Sequence, residues 1–176
     1  MLRALRPALP LLALAASLAP AHAADVAAPR VRILRAWDET IKVDGQDVPR
    51  RVEIVFDYDR GEARQVERLP GGEVKATVLL HEQPAPSAEE IEEAVSLIRG
   101  DASLGRVLQR TRAVPTGGFV LEEPEGRCGL RTRCLQILVM APESYGLLRR
   151  VVVDLTRRKI VYRSYTGLEG RQGDVR

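Results

Sequence analysis

The chain has 176 residues, with 27 lysines and arginines against 24 aspartates and glutamates, and only 4% of its residues are aromatic. This length accommodates one ordinary domain or two very small ones. The slight excess of positive charge gives no reason to expect a nucleic-acid partner.

The N-terminus has the pattern of a secretory signal peptide. Arg3 and Arg6 precede a run of Leu and Ala, and Ala21-His22-Ala23 places small residues where a signal peptidase cleaves. The run is too short, and too interrupted by proline, for a spanning helix of roughly 20 residues. We expect a signal peptide over 1–23, with an uncleaved anchor as the alternative, and a disordered linker over 24–30.

Cleavage leaves 153 residues (176 less 23), with 25 basic and 24 acidic side chains. The basic character of the whole chain therefore comes largely from its leader. We expect a periplasmic or secreted protein with no membrane span after cleavage and no nucleic-acid partner.

Short strands dominate the region 31–83. The segments "VRILRAWDETIKV", "RRVEIVFDYD", "ARQVERL" and "EVKATVLLHE" are β-prone, and turn sequences such as "DGQD" and "PGG" separate them. This region predicts an antiparallel meander of about four strands.

The stretch "PSAEEIEEAVSLIRGD", residues 86–101, changes the period from two to 3.6. Ser87 and Glu90 have the spacing of a capping box, and Asp101 can cap a second helical piece after Gly100. The apolar positions at helical spacing are Ile91, Ala94, Val95 and Ile98.

Four strand candidates follow: "GFVLEE", "CLQILVMA", "LLRRVVVDL" and "KIVYRSYT". Their connections are short, so neighbours should pair antiparallel, and the helix should cover one face of their sheet. The fold class is α+β: a meander, then a helix on a four-stranded antiparallel sheet over 84–170, then a polar tail over 171–176.

Cys128 and Cys134 are the only two cysteines of the chain. In an oxidising compartment a close pair is most simply a disulfide. A redox-active or metal-binding pair is the alternative, but CxxC spacing is absent and no histidine is near. We expect a structural cross-link.

Two hairpin sequences resemble each other. Aligning the segment from Val52 with that from Arg150 places Asp57 on Asp154 and, three residues later, arginine on arginine. A duplication and the general composition of hairpins both explain this match. Both aspartates precede turns, so turn stabilisation is favoured over a pair of catalytic carboxylates.

Candidate site residues are few. His81 is the only histidine after the leader, so a three-histidine metal site is excluded by count, and no motif supplies it with a nucleophile. We expect no catalytic residue, no metal ligand and no cofactor. The "RTR" between the cysteines is interpreted as a solvated basic rim.

Three aromatic residues, Trp37, Tyr162 and Tyr165, are candidates for an interaction surface, with half-buried cross-strand packing as the alternative. The two tyrosines are three positions apart, so a regular strand would direct them to opposite faces.

The segments "PSAEEIEEAVSLIRGD", "GGFVLEEPEG" and "RRVVVDLTRRKIVYRSYTG" together resemble the small N2 and N3 domains at the N-terminus of copper amine oxidases. The resemblance covers about 86–170. It implies a cystatin-like fold, a helix on a four-stranded antiparallel sheet. The copper ligands and quinone of that family belong to a large catalytic domain, which this sequence does not contain, so the resemblance implies an accessory role.

Three functions remain open. The leading hypothesis is a non-catalytic module that binds or positions another periplasmic or secreted protein, through an exposed sheet edge. The alternative is a small-ligand carrier with a pocket between helix and sheet, and an enzyme is the least favoured. The sequence leaves open the identity of the partner, the oligomeric state, and whether the protein acts with a separate amine oxidase chain.

Overall fold

The computed structural model describes residues 30–123 and 126–167. The predicted signal peptide, nearly all of the linker after it and the polar tail lie outside these residues. The described elements, in chain order, are β1 (Val31–Val43), β2 (Gln46–Asp57), β3 (Glu62–Arg68), β4 (Val74–Leu80), α1 (Ala88–Gly100), α2 (Ala102–Thr111), β5 (Val114–Val120), β6 (Cys134–Met140), β7 (Leu147–Asp154) and β8 (Lys159–Tyr162).

The described strands form two antiparallel sheets, each a meander whose order follows the chain. The first sheet contains β1 to β4, and the second contains β5 to β8. With the two helices between them in sequence, the described chain is an α+β fold.

Both helices begin at the predicted caps. Ser87 Oγ accepts a hydrogen bond from the Glu90 N–H (3.2 Å), and the Glu90 carboxylate accepts one from the Ser87 N–H (3.1 Å), which completes the capping box. Asp101 then accepts bonds from the N–H groups of Ser103 (3.0 Å) and Leu104 (2.9 Å), and α2 begins there. Both caps are confirmed.

The main core lies between the helices and one face of the second sheet. Ala94 and Ile98 of α1 are fully buried with Ile137 of β6 and Val151 of β7. Each large apolar side chain buried in this way contributes about 1.5–3 kcal/mol. The other buried members of this core are Leu104, Ala113, Leu135, Val139, Val153 and Leu155.

Among the described residues, no helix lies across the first sheet, and ion pairs between side chains occupy both of its faces. On one face Arg50 Nη1 lies 2.5 Å from Glu67 Oε2. On the other, the Glu53 carboxylate accepts bonds from Arg51 (3.1 Å) and Arg68 (2.9 Å). These pairs satisfy charged side chains on a sheet that no described helix covers, although Val52 and Phe56 of β2 are buried.

Strand β5 begins earlier than the sequence predicts. It starts at Val114 instead of Gly118, and it includes Pro115. Proline is tolerated because β5 is an edge strand, where an N–H can face away from the ladder. A register shift between Thr116 and Phe119 accommodates the glycines.

The two similar hairpins have equivalent turns. Asp57 Oδ1 accepts a bond from the Arg60 N–H (3.1 Å), and Asp154 Oδ1 accepts one from the Arg157 N–H (3.1 Å). The prediction that these aspartates stabilise turns is therefore confirmed.

The equivalence extends to the strand that precedes each hairpin. The Tyr58 N–H donates to the carbonyl oxygen of Arg30 (2.7 Å), and the Leu155 N–H donates to that of Arg133 (2.8 Å). Tyr58 and Leu155 each follow the turn aspartate, while Arg30 and Arg133 each precede the pairing strand. The unit β1–β2–β3 thus shares its local geometry with β6–β7–β8.

Candidate functional site

The three aromatic candidates do not form one surface. Trp37 lies on β1 opposite Val52, is 37% exposed, and donates from Nε1 to Glu39 Oε2 (3.1 Å). Tyr162 and Tyr165 belong to the second half of the chain, at the end of β8 and beyond it.

The expectation that Tyr162 and Tyr165 point to opposite faces is wrong. Their ring centroids are 5.4 Å apart, and both rings pack against the buried Cys128, Cys134 and Val152. Strand β8 ends at Tyr162, so strand alternation does not extend to the second tyrosine. Both rings are half-buried packing partners of the disulfide.

The disulfide is present between Cys128 and Cys134, whose Cα atoms are 5.7 Å apart. Both cysteines are fully buried. A buried disulfide is inaccessible to attacking thiolates, so this geometry fits a structural cross-link.

His81 follows β4 directly and is exposed. It lines a groove of about 220 Å³ together with Glu62, Glu82 and Arg131. Within 30–123 and 126–167, no group of three or more His, Cys, Asp or Glu side chains is placed to hold a metal ion. In the same residues, no helix has the length and apolar character needed to cross a bilayer.

The sequence did not reveal the fully buried ion pair of Glu90 and Arg133. Arg133 Nε donates to Glu90 Oε1 (2.9 Å) and Nη2 donates to Oε2 (2.8 Å), and both side chains are fully buried. The Tyr58 hydroxyl (2.6 Å) and the Ser87 N–H complete four bonds to the carboxylate. Four is the full accepting capacity of a carboxylate, so this group is a structural junction with no oxygen left for a substrate.

The surroundings shift the pKa values of this group in opposite directions. Burial raises the pKa of Glu90, but the hydrogen bonds and charge of Arg133 outweigh burial, and the net pKa is lowered. Burial, together with the negative charge of Glu90, raises the pKa of Tyr58 well above its ordinary value. The carboxylate is therefore ionised and the phenol neutral over the ordinary pH range.

The junction joins the two halves of the chain. Arg133 Nη1 also donates to the carbonyl oxygen of Pro84 (2.9 Å), and its guanidinium lies 4.9 Å from the centroid of the Phe56 ring. Arg32 of β1 donates to Glu93 of α1 (2.8 Å) in a second contact between the halves. These bonds connect the end of the first sheet to α1 and β6.

A close backbone contact completes the junction. Gly61, in the turn between β2 and β3, has a φ of 65°, and a Cβ atom there would overlap the backbone of Arg131. Only glycine fits this position without a shift of the chain.

One sequence interpretation fails at the junction. The interpretation of "RTR" as a solvated rim is correct for Arg131 but wrong for Arg133. The capping-box spacing of Ser87 and Glu90 indicates the cap but does not show that the Glu90 side chain is fully buried. The sequence contains a partial indication that Glu90 is buried, because a capping glutamate beside the apolar face of a helix lies close to the core.

The four edge strands differ in how well they are protected against pairing with a strand of another chain. Strand β8 has four residues, β5 contains Pro115 and a register shift, and β1 carries charged side chains and a register shift between Ile33 and Arg35. Short length, proline, charge and bulges are the usual means by which edge strands avoid pairing with other chains.

Strand β4 is protected only at its start, where Lys75 lies in a register shift. From Ala76 to Leu80 it pairs regularly with β3 and contains neither charge nor proline. Val78 and Leu79 are 53% and 51% exposed. Strand β4 is therefore the edge that is best suited to accept another strand, and we take it as the candidate functional site.

Comparison with protein-family models and with curated proteins gives no match for this chain. The function is therefore inferred from the sequence and the geometry.

Proposed function

We propose that the chain is an exported, non-catalytic module that binds another protein by adding one of its strands to β4. The observation that carries this proposal is the regular, uncharged edge between Ala76 and Leu80. An edge strand leaves half of its N–H and C=O groups without partners in its own sheet, and a partner strand would satisfy them.

Side chains on both faces would contribute to the same contact. Val78 and Leu79 are consecutive, so they project from opposite faces of the first sheet. Each would pack beside the corresponding side chain of an added strand, as cross-strand neighbours do. Backbone bonds would supply affinity, and these side chains would supply selectivity.

The proposed compartment is the periplasm or the extracellular space. The N-terminal leader pattern and the buried disulfide support it, because disulfides persist in oxidising compartments. The proposed partner is accordingly another protein of that compartment.

The proposed architecture of the second half is cystatin-like, as in the N2 and N3 domains of amine oxidases. In its support, α1 packs on β5, β6 and β7 of a four-stranded antiparallel meander. An accessory role beside a separate catalytic chain follows from this resemblance, and a neighbouring gene for such a chain would support it.

Two matched variants test the role of β4. Val78→Lys places a charge on the candidate edge, and Ile33→Lys places one at a similarly exposed apolar position on β1 (53% and 49% exposed). We expect Val78→Lys to reduce capture of a partner from a cell-envelope extract at least about tenfold, a loss of about 1.4 kcal/mol. Ile33→Lys should leave capture unchanged.

A proline pair tests the backbone. In an antiparallel edge strand, the N–H groups of alternate residues point toward the neighbouring strand and away from it. One of the two variants Thr77→Pro and Val78→Pro therefore removes a donor that faces outward, and the other removes a donor that faces β3. Whichever of the two variants keeps the wild-type melting temperature should lose the partner. Equal capture by wild type and by this variant would refute strand addition, as would a strict monomer that retains no protein at any salt concentration.

The alternative function, a small-ligand carrier, requires an enclosed space between the helix and the sheet. Ala94, Ile98, Ile137 and Val151 are fully buried there. The groove beside this layer, about 350 Å³ between α2 and the start of β5, is open to solvent. The core therefore gives no support to a carrier. A thermal-shift screen with amines, lipids and sugars tests this alternative directly.

A further inference from the structure

The loop between β6 and β7 presents an aromatic side chain to solvent in a constrained backbone. Tyr145 is 82% exposed, and its φ of 51° lies in the left-handed region that non-glycine residues rarely adopt. Its N–H donates to the carbonyl oxygen of Ala141 (3.0 Å), and the Ala141 N–H donates to that of Gly146 (2.8 Å). The loop thus holds the ring outward through its own hydrogen bonds.

Exposed apolar side chains lie near this loop, at the same end of the second sheet. Leu147 and Leu148 are exposed consecutive residues at the start of β7, where a register shift places both of them opposite Met140. Met140 pairs with Leu147 on one side and with Val114, also exposed, on the other. This end of the sheet therefore presents several large apolar side chains to solvent, a property that suits entry into an apolar medium.

Arginines without ion pairs lie next to this apolar end in the chain. Arg149 and Arg150 follow the two leucines on opposite faces of β7, and Arg112 precedes the start of β5. Among the described residues none of the three has a carboxylate partner within ion-pair distance, in contrast to the paired arginines of the first sheet. Glu143 is the one acidic residue of the loop. The end is therefore locally cationic.

We propose that this end, which we name the tyrosine tip (Val114, Tyr145, Leu147 and Leu148, with Arg112, Arg149 and Arg150), inserts into the headgroup region of an anionic lipid bilayer. Tyrosine favours the interface between water and hydrocarbon, because its ring is apolar and its hydroxyl is polar. Arginine stems can lie along the acyl boundary while their guanidinium groups bind lipid phosphates. This contact uses a surface distinct from β4.

Vesicle binding by the full exported chain, with leader removal checked by mass spectrometry, tests the proposal. The probes are vesicles of phosphatidylcholine alone and of phosphatidylcholine mixed with phosphatidylglycerol. We expect salt-sensitive binding to the mixed vesicles only. The variant Arg149→Gln/Arg150→Gln should weaken it about 25-fold, at about fivefold for each arginine near an anionic surface. Arg35→Gln, a matched change on β1, should have no effect.

A second readout reports insertion of the ring itself. In a Trp37→Phe background, the variant Tyr145→Trp carries the only tryptophan of the chain, and its emission should shift to the blue when mixed vesicles are added. Tyr145→Ser/Leu148→Ser should abolish binding while keeping the wild-type melting temperature. The proposal is overturned if the folded wild type does not bind anionic vesicles or if the tryptophan emission does not shift to the blue. It is also overturned if the tip variants lose binding to a protein partner but keep binding to vesicles.

Discussion

Glu90 and Arg133, 43 positions apart in sequence, form a fully buried ion pair that joins the first turn of α1 to the residue before β6. The pair lies where the end of the first sheet meets the second half of the chain. The stability of the protein should therefore depend strongly on both side chains.

Removal of either partner should be severely destabilising. Arg133→Met leaves the Glu90 carboxylate buried without a counter-charge, which costs about 3–5 kcal/mol. Replacing both, as in Glu90→Leu/Arg133→Met, should cost less than Arg133→Met alone, because no charge remains buried. Urea unfolding measures these differences, and the exposed neighbour change Arg131→Met should stay within about 0.5 kcal/mol of wild type. Equal losses for Arg131→Met and Arg133→Met would contradict the structure.

Acid should weaken the fold in part through Glu90. Its pKa is lower in the folded chain than in the unfolded chain, so the folded state binds fewer protons. The resulting stability is complete above the unfolded pKa of about 4.3, declines as the pH falls below it, and is lost below the folded pKa. Unfolding free energy measured from about pH 6 to pH 3 should fall less steeply for Glu90→Gln than for wild type. Parallel pH profiles would show that Glu90 does not contribute.

Alkaline pH should weaken the fold through Tyr58. The folded pKa is raised, so stability is complete below the unfolded tyrosine pKa of about 10 and declines as the pH rises through and above it. Tyr58→Phe removes this loss and also removes one bond to Glu90, so it should lower stability at neutral pH by about 1–3 kcal/mol. A stability profile between about pH 8 and pH 11 that is the same for both proteins would rule out this role.

Reduction of the disulfide should lower the unfolding free energy by about 2 kcal/mol, the value expected for a short closed loop. The loss should be accompanied by greater exposure of Tyr162 and Tyr165, which pack against the cluster of Cys128, Cys134 and Val152. Near-ultraviolet circular dichroism and urea unfolding with and without dithiothreitol measure both effects. The Cys128→Ser/Cys134→Ser variant serves as the control, since its stability should not respond to the reductant.

Gly61→Ala should be more damaging than the same change at a comparable open turn. Gly45 has a φ of 81° and open space around its Cβ position, so Gly45→Ala carries only the backbone penalty, about 1 kcal/mol. Gly61→Ala has a similar φ and also forces the Arg131 backbone to move, so we expect at least about 2 kcal/mol more. Thermal unfolding of the two variants separates the contact from the dihedral angle.

Local patterns predict most of the secondary structure, whereas long-range polar contacts could not be predicted. The caps at Ser87 and Asp101 and the turns at Asp57 and Asp154 depend on neighbours within three residues, so the sequence contains the full information. Arg133 differs because its burial depends on Glu90 and Pro84, more than 40 positions away.

The edge position of β4 follows from the predicted meander, whose first and last strands lie at its edges. The sequence does not show which edge is regular, because the register shifts in β1 and β5 depend on the pairing of whole segments. The tyrosine pair shows the same limit, because the end of β8 and not the spacing of Tyr162 and Tyr165 decides where their rings lie.

The bonds of Arg133 to Gln83 and Pro84 have a consequence for dissection of the chain. These two residues lie at the predicted boundary between the β region and the α+β domain, which is the natural place to divide the gene. A cut there would separate Arg133 from Phe56 and Tyr58 from Glu90, and it would leave polar groups of the second half without partners. We therefore expect the two sheets to melt together in a single calorimetric transition and neither half to fold when expressed alone.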